Sequence, residues 1–258
     1  KTAYDMLRSL VGSEMCIRDR PTSSDGLITI RSGHTVEVNV ASTASAIVVE
    51  TGANLNLQFI DGSPHPNNPL TISDGVAGDD LIVNGTLLLR GFRSLIGNTG
   101  ATAVINNTMN WFAGTLQMST TISASGTMNL NLDFVKDLKA NVTNNGNFNW
   151  TALTTGMTFQ DVTFTNNGTF TSTFSTNRGI GDLGGTNAFI NNGTFRKTDG
   201  FSFVHNTIPF TNTGTLKGSG YFNLTSGITT NTGIIEPGAS PGILSISPAA
   251  VTSQTPTI

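Results

Sequence analysis

The sequence predicts an all-β chain wound as a parallel β-solenoid with coils of about 20–25 residues. Three observations lead there. First, charged residues make up only 11% of the chain, and Thr, Asn, Gly and Ser stand where Lys, Glu and Ala usually do. That mix is poor in helix formers and rich in strand and turn formers. Second, one phrase keeps returning: VTNNGNF at Val142–Phe148, FTNNGTF at Phe164–Phe170, FINNGTF at Phe189–Phe195 and FTNTGTL at Phe210–Leu216. Third, apolar residues alternate with polar ones around each phrase, as a half-buried strand requires.

Taken in order, the first segment stands apart. Lys1–Arg20 resembles a translated sequencing-library adapter: Leu10–Arg20 back-translates to a transposase mosaic end, and Lys1–Tyr4 fits the primer upstream of it. Residues 1–20 are therefore expected not to be native and are excluded from fold reasoning. Cys16, the only cysteine, goes with them. The remainder has no thiol for a disulfide, a zinc site or nucleophilic catalysis. Residues 21–247 are read as one solenoid domain. Residues 248–258 are read as a truncated tail or the start of a further region.

GLITIRSGHTVEVNV (Gly26–Val40) and AIVVETGANLNLQFI (Ala46–Ile60) alternate and are expected to form the opening coils. DGSPHPNNP, at residues 61–69, breaks the pattern and is expected to bulge as a loop insertion. A ladder of Gly–polar–apolar positions then runs through Gly85, Gly114, Gly126, Gly146, Gly168, Gly193 and Gly214, with Gly52 and Gly233 as looser members. From Gly126 onward the gaps are 20, 22, 25, 21 and 19 residues. In DVTFTNNGTFTSTF the apolar residues Val162, Phe164, Phe170 and Phe174 are expected to point inward, with Thr, Asn and Ser filling between them.

The corner accounts for the repeated NNG. Glycine is expected there to supply a positive φ, with asparagine as the next most tolerant residue. Stacking should set each Asn over its copy, so that the amides bond along the axis. The Phe or Leu after the corner should stack on its own copy in the core. A lone coil buries too little to order itself, so stability must come from neighbours. An antiparallel hairpin stack is the rival, because XNNGX also suits a three-residue hairpin loop. The glycine turn comes about once in twenty residues, however, and a meander needs one every 8–12 or so.

Of 13 Lys+Arg and 16 Asp+Glu, residues 1–20 hold four and three, which leaves nine and thirteen in the remainder. These are scattered, with no basic stripe, so no nucleic-acid partner is expected. No apolar run reaches the length of a membrane span.

The stretch Gly233–Leu244, GIIEPGASPGIL, resembles the motif that closes repeat arrays in autotransporter-like passenger regions and in large secreted surface proteins of Gram-negative bacteria, including Bacteroidetes-type ones. The N-N-G-T-F units are similar to theirs, so the resemblance covers residues 26–247. It implies a right-handed parallel β-helix, export and a role at the cell surface, and it carries over no catalytic residue. The partner stays open, with host or environmental glycans and other surface proteins as the candidates.

Polysaccharide lyases and glycosidases also use parallel β-helices, so the acids, bases and aromatics bear on function. Asp79 and Asp80 are adjacent and should point to opposite faces. Each of these two, and Asp74, reads as a solvated loop acid. Asp133, Lys136, Asp137 and Lys139 in LDFVKDLK read as a solvated face formed by a helical turn or polar loop. His34, His65 and His205 lack metal-ligand spacing. GDLGGTNAF (Gly181–Phe189) has the glycines of a calcium-binding β-roll without its acids. Trp150 should be core, and one of Trp111 and Phe112 should face out, with Trp111 as the first aromatic to test against glycans. Tyr221 is a further candidate platform. Most of the sequons at Asn84, Asn106, Asn141, Asn167, Asn192 and Asn223 fall out of the repeat phrase; they carry no meaning in a bacterial protein, the favoured reading, and would be glycosylated in a secreted eukaryotic one. No catalytic, metal-binding or cofactor-binding residue is assigned, and no cofactor is expected. The function expected is that of a secreted or cell-surface, adhesin-like stalk. A polysaccharide-cleaving enzyme or a non-catalytic glycan-binding module are the alternatives.

Overall fold

The computed structural model describes residues 26–58, 69–73, 78–91, 93–131, 134–151, 156–173, 178–198, 202–205, 208–224, 228–238 and 244–247. The expected adapter segment, most of the 61–69 insertion, Phe174, Asp74, Asp133 and His65 lie outside them. The opening rung consists of β1 (Leu27–Ile30), β2 (Thr35–Val38) and β3 (Ser42–Ala44). This triplet recurs until the strands Ile228–Asn231, Ile234–Pro237 and Leu244–Ser247. Each strand pairs in parallel with its counterpart one rung away, which gives three ten-stranded sheets. The described residues thus form a parallel β-solenoid of ten rungs, about 45 Å long at about 4.8 Å per rung. No antiparallel pair joins the described strands, and the hairpin rival falls with that.

Burial follows the period of two. In the strand Thr163–Asn166 the order is half-buried, buried, half-buried, buried. The inward residues form columns along the axis. Phe164, Phe189 and Phe210 stack in the first sheet at centroid distances of 5.0 and 5.2 Å. Phe148, Phe170 and Phe195 stack in the second at 4.7 and 4.5 Å. The two columns meet edge to face, as Phe148 does with Phe164 at 5.0 Å and 88°. Such contacts stabilise beyond the area they bury. In the earlier rungs the same second-sheet column is aliphatic or Met: Leu55, Leu87, Met109 and Met128. All of this forms one continuous core.

Two expectations about the corner need correction. Polar side chains do not all fill the outside, because Asn166 continues the inward period from Phe164 and is fully buried. The same inward column is aliphatic in the first five rungs (Ile30, Val49, Val83, Ile105, Ile122) and asparagine in the last five (Asn144, Asn166, Asn191, Asn212, Asn231). Each amide from Asn144 to Asn212 donates to the Oδ1 of the next at 2.7 Å. The second N–H of Asn144, Asn166 and Asn191 goes to the carbonyls of Thr169, Thr194 and Thr215. At the head of the column, Asn144 Oδ1 accepts the Gly146 amide at 3.2 Å. The cost of burying an amide is thereby met within the stack. Beside this row, Asn145, Asn167 and Asn192 form a solvent-facing one whose donors point the other way, Asn192 to Asn167 and Asn167 to Asn145 at 2.9 Å.

The glycines do not serve a positive φ either. Gly85, Gly126, Gly146, Gly168, Gly193, Gly214 and Gly233 are absent from the left-handed region, which Gly33 and Gly52 in longer corners do occupy. Close approach is the reason instead: a Cβ at Gly168, Gly193 or Gly214 would collide with the carbonyl oxygen of Gly146, Gly168 or Gly193 one rung below. The Asn144 carbonyl accepts both the Asn167 and Gly168 amides at 2.8 Å, and the next corners repeat this. Gly114 is not a member of this ladder. It opens a third-sheet strand with φ +93°, and Asn107 fills the ladder position in that rung. At the Gly52 turn the ladder position belongs to Ala53. Across this corner, from the first sheet to the second, only two or four residues connect the strands. The other two edges carry connections of very different length, including residues 59–68.

Candidate functional site

The acids expected to be solvated mostly close the backbone. Asp80 is 1% exposed, which corrects its reading as a loop acid. Its Oδ2 accepts the Thr102 amide at 3.1 Å, while the neighbouring Asp79 Oδ1 accepts the Thr102 hydroxyl at 3.0 Å. Together they clamp the next rung. In GDLGGTNAF, Asp182 Oδ1 accepts the Gly184 amide at 2.7 Å and the Asn187 side chain at 2.8 Å. Asp161, held at φ 56°, accepts the Thr186 amide at 3.0 Å. Asn187 in turn accepts the Val162 amide at 2.9 Å. These groups have their lone pairs turned onto the corner they build.

Within LDFVKDLK, residues 134–139 form neither a helical turn nor a wholly solvated face. Lys136–Leu138 is a strand, and Lys136 is fully buried with Nζ donating to the Phe134 carbonyl at 3.0 Å. Asp137 accepts the Thr158 hydroxyl at 2.5 Å. Lys139 is exposed. Two more cations were missed in the sequence, Lys197 and Arg93, both buried. Arg93 Nη2 donates to the Asn39 carbonyl at 2.7 Å, and desolvation by burial lowers its pKa from the ordinary value. His34 lies at the corner before the first second-sheet strand, and His205 ends the eighth third-sheet strand, so stacking does not join them. Among the described residues, no three His, Cys, Asp or Glu side chains gather to hold a metal ion.

The aromatics divide otherwise than expected. Trp150 is core, as expected, but so is Trp111, which is fully buried. Trp111 continues the inward period from Met109, so the outward member of the pair is Phe112. The Phe112 ring is half-buried, with the Arg90 guanidinium 5.8 Å from its centroid. Tyr221 is exposed on the third sheet.

Phe112 borders the outer surface of the second sheet, whose strands pair in continuous register. One outward column runs Thr86, Thr108, Thr127, Asn147, Thr169, Thr194 and Thr215. The next runs Asn110, Asn129, Asn149 and Thr171, and then becomes charged at Arg196, Lys217 and Glu236. Asn149 donates to Asn129 and Asn129 to Asn110, both at 3.0 Å. Past the strand ends the pairing continues through the Phe112, Asn131 and Thr151 amides. From the fourth rung to the seventh these two columns carry no charge.

No protein-family model matches the chain, and no curated protein or solved structure matches it.

Proposed function

We propose that this chain is a passive, non-catalytic rod exported to the surface of a Gram-negative bacterium, of the kind found in autotransporter-like passenger regions. The observation that carries the reading is how the polar side chains are used. Asparagine rows and clamping aspartates bond rung to rung, so the polar inventory builds length. The NNG repeats and the Gly233–Leu244 phrase resemble exported surface arrays, and cysteine is absent from residues 21–258. Mixed Thr, Ser and Asn faces keep such a stack soluble without charge.

The test has two arms. Antibodies raised against the purified chain are applied to intact cells of the source bacterium, and the chain is incubated with pectins and other polysaccharides while new ends are assayed. Labelling of unbroken cells and no new chain ends are expected. Labelling only after lysis would overturn the location, and depolymerisation would overturn the non-catalytic reading.

A further inference from the structure

We infer that the outer face of the second sheet, from Phe112 across the Asn110–Asn129–Asn149 row and the adjoining threonines, binds a neutral, hydroxyl-rich glycan chain laid along the solenoid axis. The argument begins with what the amide row leaves over. A primary amide has two N–H donors and two acceptor lone pairs. Asn129 spends one N–H on Asn110 and one lone pair on Asn149. One donor and one acceptor remain on a side chain whose orientation the row has already fixed. The rotamer freedom that side chains normally lose on binding has therefore largely been given up already. The outward hydroxyls of Thr127 and Thr169 add groups that both donate and accept.

Charge selects the ligand class. An acidic polymer would want Lys or Arg beneath it, and the fourth to seventh rungs supply none in these columns; Arg196 and Lys217 lie beyond them, and Arg90 stands at the border with its charge set over Phe112. Spacing selects its shape. Parallel strands present equivalent side chains about every 4.8 Å, close to the length of one pyranose unit. Phe112 selects a sugar over a plain polar surface: it stands at the border of the neutral pad, partly exposed, with Arg90 holding its ring. Such a ring offers an apolar face to the C–H face of a sugar. This inference needs the surface location only to bring glycans within reach. Binding is measured on purified protein, so its failure leaves the labelling result untouched.

The test is depletion of the purified chain from solution by insoluble cellulose, chitin and β-1,3-glucan, with polygalacturonate as the acidic control, at low and high salt. Retention by at least one neutral polymer, unchanged by salt, is expected. Phe112→Ala, and separately the double variant Thr127→Lys/Asn129→Lys, should each weaken retention about tenfold or more while the melting temperature stays within a few degrees. Thr165→Lys, outward on the first sheet, should bind as the parent does. Retention by no neutral polymer overturns the inference. So does equal retention of the Phe112 and Lys variants, or retention by polygalacturonate alone that salt abolishes. An ice-growth assay on the same proteins covers a third outcome: ice shaping lost in the Lys variant, without glycan retention, would assign this face to ordered water and overturn the glycan.

Discussion

At the scale of single residues, the corner glycine and the buried asparagine behave differently from their surface counterparts. Gly168→Ala puts a methyl against the Gly146 carbonyl of the rung below, where backbone cannot yield. It should cost about 3 kcal/mol, as overpacking does. Gly33→Ala meets no atom within 4 Å and suffers only its φ of +80°. It should cost about 1–2 kcal/mol. Urea melts of the two variants separate close approach from backbone strain. If Gly33→Ala proves the more damaging, the close-approach account is wrong. Asn166→Ala leaves an Asn144 N–H, the Asn191 Oδ1 and the Thr194 carbonyl without their partner. A loss of about 3 kcal/mol is expected from such orphaned groups. Replacing Asn144, Asn166, Asn191, Asn212 and Asn231 together by valine removes the amide-to-amide donors and acceptors in pairs, and leaves the Thr169, Thr194 and Thr215 carbonyls and the Gly146 amide without their side-chain partner. The five-fold variant should therefore lose far less than five single losses. Val83 and Ile105 already sit at this position before two-residue corners, so the backbone accepts an aliphatic side chain there.

At the scale of elements, each strand is stable through the strands on either side. Phe170 touches Phe148, Phe164, Phe189 and Phe195, and so ties three rungs. Phe170→Ala should cost about 3–5 kcal/mol. Its damage should also be local: hydrogen exchange should quicken first in the strands around Phe148, Phe170 and Phe195, and last near Leu55. Uniform quickening would mean the solenoid melts as one unit rather than by neighbours. The solenoid itself was legible because two periods coincide, alternation within the strand and some twenty residues between phrases. The buried asparagine column was not read, since a general preference for polar residues outside was allowed to override the alternation that leads from Phe164 to Asn166. Gly114 was mis-sorted because Gly-Thr-Leu occurs in two different sheets, and only pairing distinguishes them. Phe112 was recoverable: the spacing of Met109 and Trp111 turns both inward and leaves Phe112 out. Lys136 shares the inward phase of Leu138, but its charge argued for the surface, and Asp80, beside the inward Leu81, had no such signal.

At the scale of the whole molecule, charge contributes little. The cross-rung pair of Lys217 and Glu236, 2.7 Å apart, is half exposed on both sides. Lys217→Ala should change stability by at most about 0.5 kcal/mol. The melting temperature of the chain should likewise stay nearly constant as salt rises from low to high. A strong dependence would show that ion pairs hold the stack. The opposed directions of the two asparagine rows carry a further consequence. Dipoles aligned head to tail, as in an α-helix, leave partial charge at the ends. Here one file of amides points up the shaft and its neighbour points down, so their fields offset one another locally. Extending both files together, coil by coil, adds little net polarity at this corner, whereas either file alone would build a pole at each of its ends.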